Sequence, residues 1–445
     1  MISDNRLTEQ QYAQNFSDIH PPFATRDAAL VDANRCLYCY DAPCTKSCPT
    51  GIDIPRFIKQ AATDDLRGSA RTIFQSNIMG GGCARVCPVE KLCEGACVFN
   101  LLEEPPIPIA RLQRYATEDA IKEKWRLFEK ADPLQKKVAI IGAGPSGLSA
   151  AHVLARSGVE VTIFEKETRG GGLMTYGIAA YKISPAFCRE ELDFILSIGG
   201  ITIRYEQELG RNLLLKDLRA HYDAVYVAIG VGLTRKLDIQ GEDLQGVVDA
   251  IHFIYAIRDE GYPAVPVGDR VAVIGMGMTA IDAATQAKRL GAKEVTLVYR
   301  RTQAEMPCTL AELEIARLDG CRIAWLAAPR SITGTDGRVT RLVCNVMKPG
   351  PPDKNARRAP VETGETLHFD VDMIIKATGQ LPFSELVRDA GLDNHDGRIT
   401  TSTGGITGTA GIFAGGDCVN GGKEVVDAVQ AGKDAAAAIL TYLKS

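Results

Sequence analysis

Residues 137–147 read KVAIIGAGPSG and open a unit of strand, glycine-rich turn and helix. The strand Val138–Ile141 runs into the motif G-x-G-x-x-G, a helix is predicted as far as Ala155, and a second strand covers Val159–Phe164. In this motif the first glycine forms a tight turn, the second lets the backbone approach a pyrophosphate, and the third lets the helix pack on the strand. The stretch therefore predicts a Rossmann-like domain that binds a dinucleotide.

Two further features of this unit describe how the ligand would be held. The helix N-terminus offers free N–H groups and a favourable dipole to a pyrophosphate. Glu165 ends the second strand 23 residues after Gly142, which suits a carboxylate that accepts both hydroxyls of an adenosine ribose. The candidate cofactor-binding residues of this unit are Gly142, Ala143, Gly144, Pro145, Ser146, Gly147, Glu165 and Lys166.

A second unit of the same type begins at Arg270. The strand Val271–Ile274 leads into a turn that reads GMGMTA, a helix follows to Leu290, and the strand Val295–Val298 closes the unit. The chain thus contains two βαβ pieces that each open with G-x-G-x-x-G/A. Two nucleotide-binding domains are expected.

The second unit differs from the first where its closing strand ends. Alignment of the two places Tyr299 at the position of Glu165 and Arg300 at the position of Lys166. A carboxylate would repel a 2′-phosphate, whereas arginine can bind one, so the unit favours NADPH over NADH. The alternative is an arginine pair on a solvated strand end with no such role. The candidate residues are Gly275, Gly277, Met278, Thr279, Ala280, Arg300 and Arg301.

Eight of the thirteen cysteines fall in two short bursts ahead of these units. The first burst reads C-x2-C-x4-C-x3-C-P, which is close to the bacterial ferredoxin run C-x2-C-x2-C-x3-C-P. Its members are Cys36, Cys39, Cys44 and Cys48. The second burst reads C-x3-C-x5-C-x3-C and comprises Cys83, Cys87, Cys93 and Cys97. The spacing predicts iron–sulfur clusters held by thiolates.

Three other roles compete for the cysteines. Disulfides suit small secreted domains, and the first thirty residues carry several charges and no apolar run typical of a signal peptide. Structural zinc normally joins two separated C-x2-C pairs, unlike the first burst, and it stays an alternative. Burial as free thiols suits the five scattered cysteines. These are Cys188, Cys308, Cys321, Cys344 and Cys418.

The bursts do not map one to one onto clusters. In two-cluster ferredoxins the cysteine before the proline ligates the other cluster. Cys36, Cys39 and Cys44 are therefore expected in one cluster, while Cys48 crosses to a second. The second burst must then supply one ligand to the first cluster and the remainder to its own.

Composition limits the class of protein. The formal net charge of −4 gives no basic footprint, so nucleic acid is not an expected partner. No apolar stretch reaches the length needed to span a bilayer. Thiolate-rich sites without a secretion signal predict a cytoplasmic protein. Residues 1–130 show helical patterns at Ile54–Ala62, Ser69–Ile78 and Ile109–Glu129, and Asp132-Pro133 marks a boundary to the strand-rich remainder.

Two dinucleotide sites beside clusters imply a division of labour. Nicotinamide gives up a hydride, clusters accept single electrons, and a flavin exchanges both, so the first unit is expected to hold FAD. Gly416 and Asp417 after a late strand, Gly379 after another, and a helix over Val425–Leu443 are predicted to complete the flavin site. No Ser-His-Asp or paired-carboxylate arrangement stands out, so no catalytic side chain is predicted.

The cysteine bursts, with the segments Cys36-Leu37-Tyr38-Cys39, Cys48-Pro49-Thr50 and Cys83-Ala84-Arg85-Val86-Cys87-Pro88, resemble dihydropyrimidine dehydrogenase. The likeness is to its N-terminal half, which in bacteria is a separate NAD(P)H-oxidising subunit, within a group that includes the glutamate synthase small subunit. The resemblance covers roughly residues 34–433. It implies an α/β protein with a helical iron–sulfur domain, a discontinuous FAD domain and an inserted NAD(P)H domain. The expected bounds are 1–130, then 131–236 with 370–445, and 237–369.

The resemblance also implies a ligand set. One 4Fe-4S cluster would be held by Cys36, Cys39, Cys44 and Cys97. The other would be held by Cys48, Cys87, Cys93 and an amide ligand, Gln113, while Cys83 would not be a ligand. Gly172 and Leu173 match a flavin-contacting stretch, which departs from the family at Ala179, where proline is more usual.

Function follows from what the resemblance supplies and what the chain lacks. The sequence contains no (β/α)8 barrel to hold FMN and a pyrimidine. The expectation is a subunit of a hetero-oligomer that oxidises NAD(P)H at FAD and passes electrons through two clusters to an FMN-containing barrel subunit reducing uracil or thymine. The same-class alternative is electron input to glutamate synthase or a ferredoxin-linked oxidoreductase. The different-class alternative is a zinc-stapled regulatory module that binds dinucleotide without turnover.

Overall fold

The computed structural model describes residues 1–352 and 358–445. Up to residue 130 the chain is helical, with seven α-helices joined by turns. They are α1 Glu9–Asn15, α2 Arg26–Asn34, α3 Pro43–Ser47, α4 Ile54–Ala62, α5 Leu66–Ser76, α6 Gly80–Val86 and α7 Ile109–Lys122. Two 3-10 turns, Val89–Lys91 and Val98–Leu102, lie between α6 and α7. The predicted helical domain is confirmed.

Local signals account for two of these helices. Asp53 accepts the Arg56 N–H to cap α4, and Asp65 accepts the Gly68 N–H to cap α5. The prediction of Ile109–Glu129 overran α7. The helix stops at Lys122 because the chain reaches a left-handed residue, Lys124, with φ of 53°.

From residue 137 onward the chain contains both strands and helices. In the first half they are β1 Lys137–Ile141, α8 Pro145–Arg156, β2 Glu160–Phe164, α9 Leu173–Tyr176, α10 Pro185–Leu196, β3 Ile201–Arg204, α11 Leu215–His221, β4 Ala224–Val227 and β5 Leu233–Thr234. Then follow β6 Val247–Asp249, α12 Ala250–Asp259, β7 Arg270–Ile274, α13 Met278–Arg289, β8 Glu294–Tyr299, α14 Leu310–Leu318, β9 Arg322–Trp325, β10 Ala327–Thr335, β11 Arg338–Pro352 and β12 Arg358–Asp370.

The C-terminal part returns to the first sheet. Its elements are β13 Met373–Lys376, β14 Gln380–Leu381, α15 Ser384–Asp389, β15 Asn394–His395, β16 Arg398–Ile399, β17 Ile412–Ala414, α16 Asp417–Asn420 and α17 Val425–Tyr442. Further 3-10 turns occupy Tyr262–Ala264, Gln303–Glu305 and Thr403–Gly405. In the described part of the chain no helix is long and apolar enough to cross a membrane.

Two parallel five-stranded sheets confirm the two Rossmann-like folds. The first has the order β17-β4-β1-β2-β3, and the second has the order β6-β13-β7-β8-β9. β1 and β7 are each central and buried at four of their five positions, as parallel strands covered on both faces require. In the sequence, β17 of the first sheet follows every strand of the second sheet, so the first fold is discontinuous and the second is inserted in it. A separate antiparallel sheet, β10-β11-β12, lies within the inserted part.

The chain divides into two compact units. One comprises Met1–Asp18, Tyr176–Tyr181 and Thr234–Gln380, and the other comprises Ile19–Thr175, Lys182–Leu233 and Leu381–Ser445. The iron–sulfur region thus shares a unit with the first sheet.

The first eighteen residues group with the second sheet, which the sequence had not indicated. Phe16 stacks on Tyr262 at 4.0 Å between ring centroids, and Arg6 forms an ion pair with Asp269. The domain bounds expected from the sequence stay a prediction.

A buried carboxyl links helix α6 of the helical region to helix α10 within the same unit. Glu191 of α10 is fully buried, and its Oε1 accepts the Gly82 N–H of α6 at 2.8 Å. Arg85, on the next turn of α6, lies over the Phe187 ring at 3.6 Å. Burial raises the pKa of Glu191 to about 7. Burial therefore favours the protonated form of this side chain, whereas the hydrogen bond from Gly82 favours the ionised form.

The raised pKa of Glu191 predicts that the stability of the folded chain depends on pH. The folded chain binds the proton of this carboxyl more tightly than the unfolded chain, so the contribution is complete below about pH 4.5 and is lost as pH rises to about 7. Glu191→Gln keeps an oxygen for the Gly82 N–H and cannot ionise. At pH 8 the variant should have a higher unfolding temperature than the native chain and a free energy of unfolding larger by at most about 3 kcal/mol, and this difference should shrink at pH 5.

Thermal unfolding followed by circular dichroism at the two pH values measures the difference. Glu190→Gln, at an exposed position of the same helix, is the control and should leave both midpoints unchanged. Equal pH dependence in the native chain and Glu191→Gln would refute the role of this carboxyl.

Candidate functional site

The first cavity lies among four cysteine side chains in the helical region. It contains about 370 Å³ of empty space, including the solvent at its mouth. Its cysteines are Cys36, Cys39, Cys44 and Cys97. Three come from the first burst and the fourth closes the second burst, so the chain returns to this cavity about fifty residues later. Apolar side chains such as Ile54, Ile58 and Ile107 complete its wall.

The second cavity is similar in size, at about 390 Å³ including solvent. Its polar lining includes Cys48, Cys83, Cys87, Cys93 and Gln113. The structure therefore brings the two predicted ligand sets to two separate cavities, with Cys48 on the second as expected. In the described residues, no group of three or more His, Cys, Asp or Glu side chains is arranged to hold a single metal ion.

Two side chains compete for the fourth position at the second cavity. Gln113 is 6% exposed, and its Nε2 donates to the Gly80 carbonyl at 2.6 Å, which leaves the amide oxygen as its metal-binding atom. Cys83 is 3% exposed and forms a side-chain hydrogen bond with Cys87. The cavity lining alone accommodates either ligand.

The thiol chemistry of both cavities suits a metal cluster. Burial raises the pKa of Cys44 to about 11 and raises the pKa of Cys36 and Cys93 as well. The hydrogen bond with Cys83, followed by burial, raises the pKa of Cys87. Such thiols become thiolates only when a nearby positive charge stabilises them, and a coordinated metal supplies that charge. The donor sets therefore fit iron–sulfur clusters.

All thirteen cysteines lie in the described part of the chain, and none of them forms a disulfide. The five scattered cysteines are buried, as predicted. Burial raises the pKa of Cys321, Cys344 and Cys418 to about 12. They behave as core residues and add nothing to either cavity.

The first glycine motif forms the turn between β1 and α8. Gly142 has φ of 106°, and a Cβ there would lie 2.4 Å from the Ala228 carbonyl oxygen. A Cβ on Gly147 would lie 2.0 Å from the Gly142 carbonyl oxygen. Only glycine fits these positions. No side chain caps α8, so its first N–H groups remain available to a pyrophosphate.

Glu165 directly follows β2 and faces this turn. It is 5% exposed, and its Oε2 accepts the Ala143 N–H at 2.7 Å. Its Oε1 accepts the Glu167 N–H at 2.9 Å, and burial raises its pKa. Each oxygen keeps a further lone pair for a ribose hydroxyl. Lys166 beside it is half exposed, with its Nζ over the Phe383 ring.

Two further backbone segments close on the motif. A Cβ on Gly172, whose φ is 56°, would lie 2.9 Å from the Gly144 Cα. A Cβ on Gly416, whose φ is 76°, would lie 3.0 Å from the Ser146 Cβ. The turn, the start of α9 at Leu173 and the start of α16 thus form one cradle.

The cradle carries a carboxylate at its edge. Asp417 begins α16, and its Oδ1 accepts the Lys423 N–H at 3.2 Å. Burial raises its pKa. The predicted residues of the first motif, Gly172, Leu173, Gly416 and Asp417 all gather here. Gly379 lies in the other unit, where its carbonyl accepts the Arg235 N–H.

Helix α17 connects the cradle with the second cavity. A Cβ on Gly432 would lie 2.1 Å from the Ser146 carbonyl oxygen, so glycine lets α17 pack directly on α8. One end of α17 reaches the second cavity, which Val426 helps to line. Lys433 donates to the carbonyl oxygens of Thr50 and Ser76 in the helical region, at 3.1 and 2.7 Å. Sequence reasoning missed Lys433, since its partners lie more than 350 residues away.

The second motif repeats the geometry of the first. Gly275 has φ of 137°, and a Cβ there would lie 2.4 Å from the Ala377 carbonyl oxygen. Its N–H donates to the Val298 carbonyl, as the Gly142 N–H donates to the Phe164 carbonyl. Gly277 is the N-cap of α13, and no side chain caps that helix. Met278, Thr279 and Ala280 form its first turn.

The matching hydrogen bonds give Tyr299 the position of Glu165. Its hydroxyl donates to the Glu305 carbonyl at 2.7 Å, so no carboxylate occupies the position. Arg300 follows and is exposed. The Nε of Arg301 is buried without a hydrogen-bond partner in the described part of the chain. The end of β8 therefore has a tyrosine in place of the carboxylate, and the two arginines Arg300 and Arg301 follow it.

A short segment beside α13 accounts for a departure from the resembled family. The Ala179 N–H donates to Asp282 Oδ2 at 3.0 Å, and the Ala180 N–H donates to Gln286 Oε1 at 3.3 Å. Proline, more usual at position 179, has no N–H to make the first bond.

Two protein-family models match the chain. Residues 12–125 match the one described as dihydropyrimidine dehydrogenase domain II, 4Fe-4S cluster. Residues 136–432 match the one described as pyridine nucleotide-disulphide oxidoreductase. The first match covers both cavities, and the second covers both glycine motifs.

Curated relatives match along nearly the whole chain. The glutamate synthase (NADPH) small chain of Escherichia coli K12 is 34% identical over 448 residues, 96% of this chain and 94% of its own. The NAD-dependent dihydropyrimidine dehydrogenase subunit PreT of Salmonella typhimurium LT2 is 34% identical over 432 residues, 97% of this chain and 98% of its own.

A solved structure supports the fold. Mycobacterium tuberculosis FprA in complex with NADPH has a TM-score of 0.60 at 20% identity and covers 69% of this chain and 85% of its own. At this identity the likeness concerns the fold alone.

The fourth ligand of the second cavity can be tested with two matched substitutions. If Gln113 holds the cluster, Gln113→Ala should shift the reduction potential and the electron paramagnetic resonance signal of one cluster only. Cys83→Ser should leave both clusters with native potentials. Redox titration followed by this spectroscopy measures the change, and iron content per chain checks occupancy. The opposite pattern would make Cys83 the ligand.

The arginines after β8 predict coenzyme choice. Arg300→Ala should raise KM for NADPH about tenfold, since a charge-assisted bond to the 2′-phosphate contributes about 1.5–3 kcal/mol. KM for NADH, which lacks this phosphate, should change less than twofold. Steady-state kinetics with both coenzymes and a small artificial acceptor measure the ratio. Equal changes for NADPH and NADH would leave Arg300 as a solvated charge, and Arg330→Ala provides a control on the same unit.

Proposed function

Because the chain belongs to the pyridine nucleotide-disulphide oxidoreductase family, we propose that it is the NAD(P)H-oxidising subunit of a dihydropyrimidine dehydrogenase. As a member of the family it is an NAD(P)H-dependent oxidoreductase that uses FAD and 4Fe-4S clusters. The proposal adds the acceptor, an FMN-containing barrel subunit that reduces uracil or thymine. The proposed location is the cytoplasm, where thiols stay reduced.

One observation supports the proposal most directly. The two cysteine-lined cavities and the first glycine motif belong to the same unit, and α17 contacts both α8 and the second cavity. A chain that only bound dinucleotide would have no need of two such cavities. Electrons that enter at the cradle therefore have a continuous protein route to the helical region.

The residues have distinct proposed roles at the flavin. The free N–H groups of α8 bind the pyrophosphate, and Glu165 accepts the ribose hydroxyls. Gly172 and Gly416 allow the backbone to approach the cofactor closely. Asp417 accepts a hydrogen bond from a hydroxyl of the ribityl chain or lies near the phosphate. FAD, once bound, supplies the exchange between a two-electron hydride and single electrons.

The cavities have a matching division of ligands. Cys36, Cys39, Cys44 and Cys97 would hold one 4Fe-4S cluster at the first cavity. Cys48, Cys87, Cys93 and Gln113 would hold the other at the second cavity. Apolar walls would limit the access of water to the sulfur atoms, and solvent exposure is one of the factors that set the reduction potential of a cluster.

The second unit is proposed to bind the coenzyme. The N–H groups at the start of α13 face the pyrophosphate, and Arg300 and Arg301 bind a 2′-phosphate when NADPH is used. The PreT relative is named NAD-dependent, whereas the glutamate synthase relative is named for NADPH. The arginine pair favours NADPH for this chain.

A second candidate function is electron input to glutamate synthase. The relative of that name is 34% identical and covers 94% of its own length, as good a match as the pyrimidine subunit. The cysteine spacing supports the pyrimidine enzyme. Both candidates share the same internal electron route and differ only in the acceptor.

Reconstitution separates the two candidates. The chain, purified with FAD and iron–sulfur clusters, is mixed with the FMN-containing pyrimidine subunit or with the glutamate synthase large subunit. We expect uracil-dependent oxidation of NAD(P)H with the former, at a rate at least tenfold above that without uracil. Turnover with 2-oxoglutarate and glutamine alone would refute the pyrimidine assignment. A colourless protein that contains zinc would refute both.

A further inference from the structure

Exposed apolar side chains gather at the mouth of the first cavity. Leu37 lies between two of its cysteines, Tyr40 follows the second, and Leu101 and Leu102 come shortly after Cys97. Leu37 is 58% exposed, Leu101 is 85% exposed, Leu102 is 62% exposed, and Tyr40 is fully exposed. We call these four side chains the mouth patch. Single exposed apolar residues are ordinary, but a group beside one cavity is a mark of an interaction site.

The two segments of the patch border the same cavity. Leu37 lines the cavity, and so do Val98 and Phe99 of the 3-10 turn that carries Leu101 and Leu102. Arg35 joins the segments, because its guanidinium lies over the Phe99 ring at 5.3 Å and donates to the Pro105 carbonyl. The patch is therefore held in place by the walls of the cavity.

The second cavity has a different surrounding. In the described part of the chain, no large apolar side chain within five positions of Cys48, Cys87 or Cys93 is exposed in this way. Val426 at the start of α17 forms part of its wall instead. The second cavity thus faces the flavin cradle through α17, and the first cavity has the apolar surface at its mouth.

The rim of the patch carries acidic side chains. Asp41 beside Tyr40 is exposed and pairs with Lys46 at 3.4 Å. Glu103 and Glu104 directly follow Leu102 and are exposed. Of the nearby cations, Lys46 pairs with Asp41, and Arg35 contacts Phe99, Asp32 and the Pro105 carbonyl, so Glu103 and Glu104 carry the acidic charge of the rim. A partner with an apolar centre and a basic rim would match this face.

We propose that the mouth patch is the docking surface for the electron-accepting protein, a partner with a one-electron redox centre beneath an apolar, basic-rimmed face. The proposal rests on the proposed function only in requiring that the acceptor be a protein. In each encounter the cluster held at the first cavity would give one electron to the redox centre of the partner, so that the cluster is oxidised and the centre is reduced. One NAD(P)H supplies two electrons and therefore supports two such transfers.

A double substitution on the patch tests the proposal. Leu101 and Leu102 are not among the residues that line the cavity, so Leu101→Ser/Leu102→Ser should leave the clusters intact. The matched control is Leu310→Ser/Leu318→Ser on α14, where the exposures are 67% and 77%. Electron paramagnetic resonance and NAD(P)H oxidation with ferricyanide, a small acceptor that needs no docking, check that both variants are intact.

The measurement is the rate of NAD(P)H oxidation against the concentration of a protein acceptor. Three acceptors are used: the FMN-containing pyrimidine subunit, the glutamate synthase large subunit and oxidised ferredoxin. The patch variant should raise KM for the active acceptor at least tenfold, with kcat changed less than twofold, while the control matches the native chain. Glu103→Lys/Glu104→Lys should raise the same KM at low salt and lose this effect at high salt.

The outcomes separate this proposal from the proposed function. Activity with the glutamate synthase subunit or ferredoxin alone would overturn the pyrimidine assignment and still test the patch. Unchanged KM in the patch variant, or an equal rise in the control, would overturn the patch. Failure of all three proteins to accept electrons from the native chain, while ferricyanide does, would overturn it as well.

Discussion

The helical region depends on filling the two cavities that its cysteine side chains surround. Its helices are short, from five to fourteen residues, and helices of that length are marginal without packing. Their apolar residues form a core that includes Phe57, Ile58 and Leu112, with cysteine sulfurs packed against it. Because burial keeps isolated thiols protonated, these cysteines ligate as thiolates only when a metal stabilises their charge, and metal binding therefore adds to the stability of the folded region.

Other helices of the unit contact the region around the two cavities. Gly432 lets α17 lie directly on the helix of the first glycine motif, and the start of α17 reaches the second cavity. Glu191 ties α10 to α6 next to the second burst. Helix α17 thus contacts both the flavin cradle and the iron–sulfur region.

Local patterns made much of this predictable. The glycine motifs, the strands beside them and the position of Cys48 at the second cavity follow from spacing, because tight turns and ligand runs are local chemistry. The match of Tyr299 with Glu165 could also be predicted, because the two units have the same order of strand, turn, helix and strand. Residues that act over long separations were not readable. Lys433 donates hydrogen bonds to the carbonyl oxygens of Thr50 and Ser76, and no residue near it in the sequence indicates those partners.

Other features lay beyond sequence reasoning for the same reason. Residues 1–18 pack with the second sheet through Phe16 and Tyr262, a pairing set by tertiary contact alone. The Ala179 N–H meets Asp282 only once α13 has folded. The choice between Cys83 and Gln113 at the second cavity depends on side-chain geometry around a bound cluster.

The most direct test of the interleaved ligand sets is an anomalous difference map recorded at the iron absorption edge from crystals of the purified holoprotein. The account predicts two groups of iron positions, one within bonding distance of Cys36, Cys39, Cys44 and Cys97, and one within bonding distance of Cys48, Cys87 and Cys93. Iron bound by all four cysteines of the first burst together, or anomalous signal at the zinc edge alone, would contradict it.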